Sequence, residues 1–258
     1  MPVFSRIFIT GASGGLGAAL ARASATPGHT LGLFARRTDV LQALAAQLPG
    51  QCECYAGDVR DSDSLRCAAA DFITKHGAPD LVIANAGVSI GTLTEAAEDE
   101  QSFRDVFDIN VIGMMNTFQP FVGAMRAAGG GTLAGIASVA GYRGLPGSGA
   151  YSASKAAAIS YLESLRVELR SDGIRVATLC PGYIATEMTE KNPYRMPFIM
   201  SADQAASKIL RLLSRGKTYA VIPWQMALVA RLMHVLPRWA YDPLAARAGR
   251  KPRRGTPR

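Results

Sequence analysis

Short apolar runs and amphipathic stretches alternate along most of this 258-residue chain. Residues 3–9 are apolar and β-branched and stop at Thr10-Gly11; residues 30–35, 52–56, 81–84, 131–137, 175–179 and 219–222 are further short runs that predict strands. Between them, residues 15–25, 40–48, 62–75, 99–127 and 150–170 carry helical spacing, and Pro27-Gly28 ends the first of these helices. Short, uniformly apolar strands are buried on both faces, as in parallel sheets, and parallel neighbours need helical crossovers. Right-handed crossovers then give an α/β fold, a doubly wound parallel sheet flanked by helices on both faces. Residues 183–200, with Pro193 and Pro197, read as a loop, residues 224–236 as an apolar C-terminal helix, and residues 247–258 as a basic, disordered tail.

In such a sheet the binding crevice opens at the carboxyl ends of the strands, so the residues that follow strands are the candidates. The first strand leads into Thr10-Gly11-Ala12-Ser13-Gly14-Gly15-Leu16-Gly17, which opens a helix. Glycines at 11, 15 and 17 permit a tight turn that brings backbone N–H groups and a helix N-terminus close to a pyrophosphate. A plain tight turn would use the same glycines, but the position at the first strand-to-helix turn points to a Rossmann-like dinucleotide site. The second strand ends Phe34-Ala35-Arg36-Arg37. An acid there would bind a ribose 2′-hydroxyl, whereas arginine neutralises a 2′-phosphate, so the sequence predicts NADP(H). A solvated arginine pair is the plain alternative. Asp58-Val59, after the third strand, either accepts from an adenine amino group or caps the next turn.

Tyr151 and Lys155 are spaced i, i+4 on a helix, within a turn of each other. A neighbouring ammonium favours phenolate and is expected to lower a tyrosine pKa toward the range useful for acid–base work. Ser138 directly follows a strand and can donate to a carbonyl oxygen. Asn110 lies inside the long helical stretch, where an amide is mildly unfavourable unless it has local work to do. Each has a bland reading as well: a surface pair, a turn serine, a helix-bending asparagine.

Together these residues resemble the short-chain dehydrogenase/reductase family over about residues 3–190. The motifs stand in family order: Thr10-Gly11-x-x-x-Gly15-x-Gly17, Asp58, Asn85-Ala86-Gly87, Asn110, Ser138, Tyr151-x-x-x-Lys155 and Pro181-Gly182. The resemblance implies that Tyr151 donates the proton, Lys155 lowers its pKa and binds the nicotinamide ribose, Ser138 polarises the carbonyl, and Asn110 holds a relay water. It implies cofactor-binding positions at Thr10, Gly11, Ser13, Gly14, Gly15, Leu16 and Gly17 of the loop. Others follow at Arg36, Arg37, Asp58 and Val59, at Asn85, Ala86 and Gly87, at Tyr151 and Lys155, and at Pro181, Gly182, Ile184 and Thr186. Ala84 replaces an asparagine often found there, and Gly14 stands where some NADP-dependent members carry a basic residue. The implied reaction is hydride transfer between NADP(H) and a carbonyl or secondary alcohol, with no metal. A 3-oxoacyl thioester reductase is the alternative within enzymes, and a non-catalytic NADPH-binding sensor the alternative outside them.

Composition narrows this little further. With 48% hydrophobic residues the chain can bury a full core, which excludes wholesale disorder. No run reaches the roughly 18 apolar residues of a membrane span, and the N-terminus lacks the pattern of a signal peptide. Four cysteines make no disulfide framework, and Cys52-Glu53-Cys54 is too closely spaced for a zinc site, so the expected compartment is the reducing cytoplasm. Residues 201–258 hold 12 Lys/Arg against Asp203 and Asp242, a net +10, whereas the rest sums to −2. Basic residues confined to one end argue against a nucleic-acid partner. The predicted organisation is a dinucleotide-binding and catalytic domain over 1–222, a helical extension over 223–246 and the tail over 247–258. The apolar helix is expected to be buried, against its own subunit or in a homodimer or homotetramer. A peripheral membrane contact through 224–258, suited to a lipid-like substrate, is the second reading.

Overall fold

Seven strands pair in parallel in a computed structural model that describes residues 4–190 and 192–254. The first half of the chain runs β1 (Arg6–Thr10), α1 (Gly15–Ser24), β2 (Thr30–Ala35), α2 (Thr38–Ala45), β3 (Gln51–Ala56), α3 (Ser62–His76), β4 (Leu81–Ala84) and α4 (Glu100–Phe107). A π-helical turn (Asp108–Ile112) follows, then α5 (Gly113–Ala127), β5 (Gly131–Ile136), α6 (Gly149–Glu168) and β6 (Ile174–Pro181). The remainder is β7 (Ile184–Ala185), α7 (Glu187–Glu190), β8 (Met200–Ser201), α8 (Ala202–Ser214), β9 (Tyr219–Ile222), α9 (Trp224–Val235) and α10 (Arg238–Ala246).

The sheet order is β3-β2-β1-β4-β5-β6-β9, so the chain winds outward in one direction from β1 and in the other from β4. Alternation along each strand divides the core. Ile7, Ile9, Leu31, Leu33 and Ile83 face one layer with Leu20 of α1 and Ile209 of α8. Phe8, Phe34 and Val82 face the other with Phe72 of α3, Phe118 of α5 and Leu162 of α6. Gly32 belongs to this packing: a Cβ there would stand 2.4 Å from the Phe8 ring, so the large ring is accommodated by a missing side chain on the neighbouring strand.

The predicted doubly wound α/β sheet is present, and several elements differ in detail. The expected helix over 99–127 is broken into α4, the π turn and α5, and the interruption falls on Asn110. Helix α8 is not among the predicted elements, although Ala205, Ile209 and Leu213 recur at helical spacing and Ser201 and Gln204 form a capping box at its start. The segment 183–200 is not all loop: β7 and β8 pair in parallel around α7. The apolar helix is not buried on all sides. In α9 only Met226 and Ala230 are buried, while Trp224, Leu228, Leu232 and Val235 are exposed.

Residues 247–254 also depart from the expected disordered tail, because they return to the body of the protein; residues 255–258 lie outside the described residues. The Gly91 N–H donates to the Pro252 carbonyl at 3.0 Å. Arg253 pairs with Glu98 and Asp99, both at 2.7 Å, and Arg254 with Asp105 at 2.9 Å. Basic residues near the C-terminus thus meet acidic residues of the segment that precedes and forms α4.

Phe8 is fully buried, with ring centroids 4.8 Å from Phe121 and 5.7 Å from Phe72. Phe8→Ala should lower the free energy of unfolding by about 3–5 kcal/mol, through lost burial and an unfilled cavity. Urea unfolding followed by circular dichroism measures it, and a loss below about 1 kcal/mol would show that this layer is not packed around the ring.

Candidate active site

Where the strand order reverses, between β1 and β4, a cleft of ≈ 540 Å³ opens at the carboxyl ends of the strands. Gly11, Ser13, Gly14, Gly15 and Leu16 line one part of it. Gly11 has φ +68° and Gly15 φ +50°, and a Cβ on Gly11 would meet the Ala86 backbone at 2.8 Å. Helix α1 begins after Gly14 with no side-chain cap and no acidic residue in its first turn. Its N-terminal amide groups therefore have a partial positive charge that no side chain of the turn offsets, an arrangement that fits a bound phosphate.

Thr10 and Gly17 do not line this cleft; they stand behind it. The Thr10 hydroxyl accepts from the N–H groups of Asn85 (3.3 Å) and Ala86 (3.4 Å). The Asn85 amide donates back to the carbonyls of Thr10 (3.1 Å) and Gly11 (3.3 Å). Gly17 allows α1 to rest against the Gly11 carbonyl, which a Cβ would approach to 2.1 Å. These contacts set the loop rather than touching what the loop would hold. Asn85, Ala86 and Gly87 do reach the cleft, as do Pro181, Gly182, Ile184 and Thr186, the last with its methyl group against Gly15.

Arg36, Arg37, Asp58 and Val59 line the same cleft beside the loop. Arg37 folds back onto the loop and donates to the Ser13 carbonyl at 2.9 Å. Its guanidinium lies 2.9 Å from where a Gly14 Cβ would stand, so it brings positive charge to the place that Gly14 leaves bare. Arg36 is exposed and stands 4.0 Å from the Asp58 carboxylate. Asp58 is itself held by Arg60, at 2.8 and 3.1 Å, and that pairing keeps its carboxyl below the usual range.

Tyr151 and Lys155 lie in the first two turns of α6, and both line the cleft with Ser138. The Lys155 ammonium is 5.9 Å from the Tyr151 ring centroid and donates to the Ile136 carbonyl at 2.8 Å. Burial lowers the Lys155 pKa to about 8. Burial also governs Tyr151: it pushes the phenol above its usual value, and the Ser138 hydroxyl beside it pulls the other way. The lowering of the phenol expected from Lys155 is therefore not what sets it: desolvation dominates, and the opposing pull comes from Ser138.

Asn110 is 1% exposed, and its side chain is fully engaged. Its carbonyl oxygen accepts from the Val88 N–H (2.8 Å), and its amide donates to the Val88 carbonyl (2.9 Å) and the Ser154 hydroxyl (3.0 Å). The π turn lets this amide face the segment after β4 and α6 together. Gly87 completes the group: a Cβ there would be 3.2 Å from the Asn110 oxygen and 3.6 Å from the Lys155 nitrogen.

Three residues beside Tyr151 had no signal in motif spacing. The Tyr183 and Tyr194 rings pack edge-on with centroids 6.3 Å apart, and the Tyr183 phenol adds to the upward push on both Tyr151 and Tyr194. The Lys251 ammonium stands 5.7 Å from the Tyr151 ring centroid. Only the fold of the tail brings Lys251 to residues 100 positions earlier.

The profile of the short chain dehydrogenase family matches residues 5–196. An uncharacterized oxidoreductase of Myxococcus xanthus is 39% identical over 242 residues, which covers 93% of this chain and 95% of that protein. A short-chain dehydrogenase from Streptomyces avermitilis is similar in structure, with a TM-score of 0.78 at 29% identity over 88% of this chain and 92% of its own. A short chain dehydrogenase from Burkholderia cenocepacia, solved in complex with NADP, reaches a TM-score of 0.80 at 25% identity over 96% and 98% of the two chains. A glycine loop, an Asn85-Ala86-Gly87 turn and a Tyr151–Lys155 pair meeting at one switch point agree with this likeness, and the chain belongs to the short-chain dehydrogenase family.

Proposed function

We propose that the protein is an NADP(H)-dependent oxidoreductase that interconverts a carbonyl and an alcohol, with Tyr151 giving and taking the proton. The observation that carries this reading is the convergence of Tyr151, Lys155 and Ser138 on the cleft that also holds the glycine loop and the Arg36–Arg37 pair. A nicotinamide bound there supplies or accepts the hydride at the substrate carbon. Ser138, whose hydroxyl accepts from the Ala140 N–H at 3.1 Å, keeps its own proton for donation to the substrate oxygen. Tyr151 protonates that oxygen in reduction and accepts its proton in oxidation. Lys155, fixed by the Ile136 carbonyl, holds a positive charge near the phenol and stabilises its ionised form once the proton has left. Asn110, its side chain taken up by Val88 and Ser154, holds the Val88 segment and α6 in register. A sensor that only binds the cofactor has no need of this set, which favours an enzyme. Acyl thioesters remain within the same carbonyl chemistry and enter the substrate panel.

Tyr151→Phe should reduce turnover about 10²–10⁴-fold, the usual contribution of a positioned general acid, while leaving cofactor affinity nearly intact. Because reduction consumes the phenol's proton and oxidation needs it removed, kcat/KM should fall with rising pH for reduction and rise for oxidation. Steady-state rates with ketone, aldehyde and acyl thioester substrates, in both directions, measure both effects. Near-native turnover of the variant would overturn the assignment.

Arg36 and Arg37 together favour a 2′-phosphate. One charge-assisted hydrogen bond contributes about 1.5–3 kcal/mol, which corresponds to a preference for NADPH over NADH of roughly tenfold or more. Fluorescence titration of the two reduced cofactors tests this: the preference should collapse in Arg36→Ala/Arg37→Ala, and equal affinities in the unaltered protein would sink it.

A second copy of this chain is proposed as the cover for the exposed face of α9. Trp224, Leu228, Leu232 and Val235 recur on that face, with Trp239 exposed just beyond. The membrane alternative loses part of its support, because Arg253 and Arg254 are ion-paired within the chain and Lys251 turns toward the cleft. Among the described residues, no helix is long and apolar enough to cross a membrane. Light scattering should show a dimer or tetramer that Leu228→Glu/Leu232→Glu dissociates. A monomer that co-sediments with anionic liposomes would favour the lipid surface instead.

A further inference from the structure

Lys251 belongs to a segment whose path is fixed at both ends. Gly249 lies against Tyr194, so closely that a Cβ there would be 2.5 Å from that residue's own Cβ. The Arg250 side chain packs on Gly147, in the loop between Ser138 and Tyr151. Pro252 accepts from the Gly91 N–H, four residues after Gly87, and Arg253 is anchored on Glu98 and Asp99. Residues 249–253 therefore run as a strap across three segments: the one carrying Tyr183 and Tyr194, the one leading into Tyr151, and the one leaving Asn85-Ala86-Gly87. Glycine at 91 admits the strap at its closest approach, where a Cβ would stand 2.3 Å from the Lys251 carbonyl oxygen, and Gly147 turns beside it with φ +71°.

The strap presents one charge to the site. Among the described residues, Lys251 has no salt bridge, although its neighbours Arg253 and Arg254 each have at least one. Its side chain is partly withdrawn from water, and that desolvation draws its pKa down to about 8 with no acidic group to oppose it. Desolvating a cation without a counter-ion is unfavourable, and the usual remedy is an anion at hydrogen-bond distance. The Ser89 hydroxyl, two residues before the Gly91–Pro252 contact, is buried without a hydrogen-bond partner. A polar ligand in this region has both a charge and a hydroxyl to satisfy.

We propose that Lys251 selects substrates in which the reacting carbonyl or alcohol lies a few bonds from an anionic oxygen group, such as a carboxylate or sulfonate. The proposal rests on the carbonyl/alcohol reaction assigned above and adds to it the substrate class. Lys251 stands 5.7 Å from the Tyr151 ring centroid, so an anion on its ammonium keeps a short substrate's carbonyl beside the phenol. Lys155 approaches the same ring to 5.9 Å but is committed to the Ile136 carbonyl, which leaves Lys251 as the cation for the substrate. A charge-assisted contact of this kind acts in the bound substrate and the transition state alike, so its loss appears chiefly in KM.

The test compares short oxo carboxylates and oxo sulfonates with amides or methyl esters of the same chain length, using the full chain with NADPH. The expected result is a kcat/KM at least tenfold higher for the anionic member of each pair. Lys251→Met should lower that ratio tenfold or more, mainly through KM, and Lys251→Arg should retain most of it. Calorimetric titration of the protein saturated with NADP⁺ by a short alkanoate and a short alkylsulfonate gives a readout independent of turnover, and binding should weaken at least tenfold in Lys251→Met. Preference for one of the two anions identifies which group the site takes. Equal ratios and equal anion binding in the unaltered protein and Lys251→Met would overturn the role of Lys251 while leaving carbonyl reduction standing. Absence of turnover on every carbonyl would instead overturn the proposed reaction, and the anion titration would still decide Lys251.

Discussion

The Thr10 hydroxyl and the Asn85 amide join the two strand ends from which the chain departs to opposite sides of the sheet. β1 hands on to α1, packed on one layer of the core, and β4 hands on to α4 and α5, packed on the other. Adjacent parallel strands leading to opposite faces necessarily leave a crevice between their exits. The reciprocal bonds of Thr10, Gly11, Asn85 and Ala86 hold that crevice at a set width while both loops remain glycine-rich and open. The glycine loop, the Asn110–Val88 contact and the approach of Lys155 to Gly87 are all measured from this junction.

Polar groups buried near the junction are stabilised by backbone rather than by other charges. Lys155 is bonded to the Ile136 carbonyl, and Asn110 to both backbone groups of Val88. Backbone partners cannot titrate, so they position these side chains without neutralising them. The cost is visible in the direction of the titrations: burial disfavours the Lys155 ammonium and the Tyr151 phenolate alike.

The C-terminal segment adds a different kind of constraint. Arg253 and Arg254 are used as anchors on Glu98, Asp99 and Asp105, and the segment's one lysine is turned toward Tyr151. Part of the segment's charge is thereby committed within the protein. This leaves the apolar face of α9 as the surface feature of this end that most requires an external partner.

Period and punctuation were sufficient to determine the parallel sheet, the glycine turn and the Tyr151–Lys155 pair, because each depends on residues within one or two turns of the chain. Strands such as Leu81–Ala84 admit no other burial, and a helix that starts at Gly15 presents its N–H groups wherever the sheet places it. Hydropathy could not reveal the π turn at Asn110, where the side chain meets Val88, 22 residues away in sequence. Nor could it place Arg37 over Gly14, or show that burial raises the Tyr151 phenol, because desolvation belongs to the assembled cleft. The tail is the clearest case. Its basic, glycine- and proline-containing sequence has the composition of a disordered segment, and only the acidic residues around α4, brought within reach by the fold, supply the ion pairs that order it.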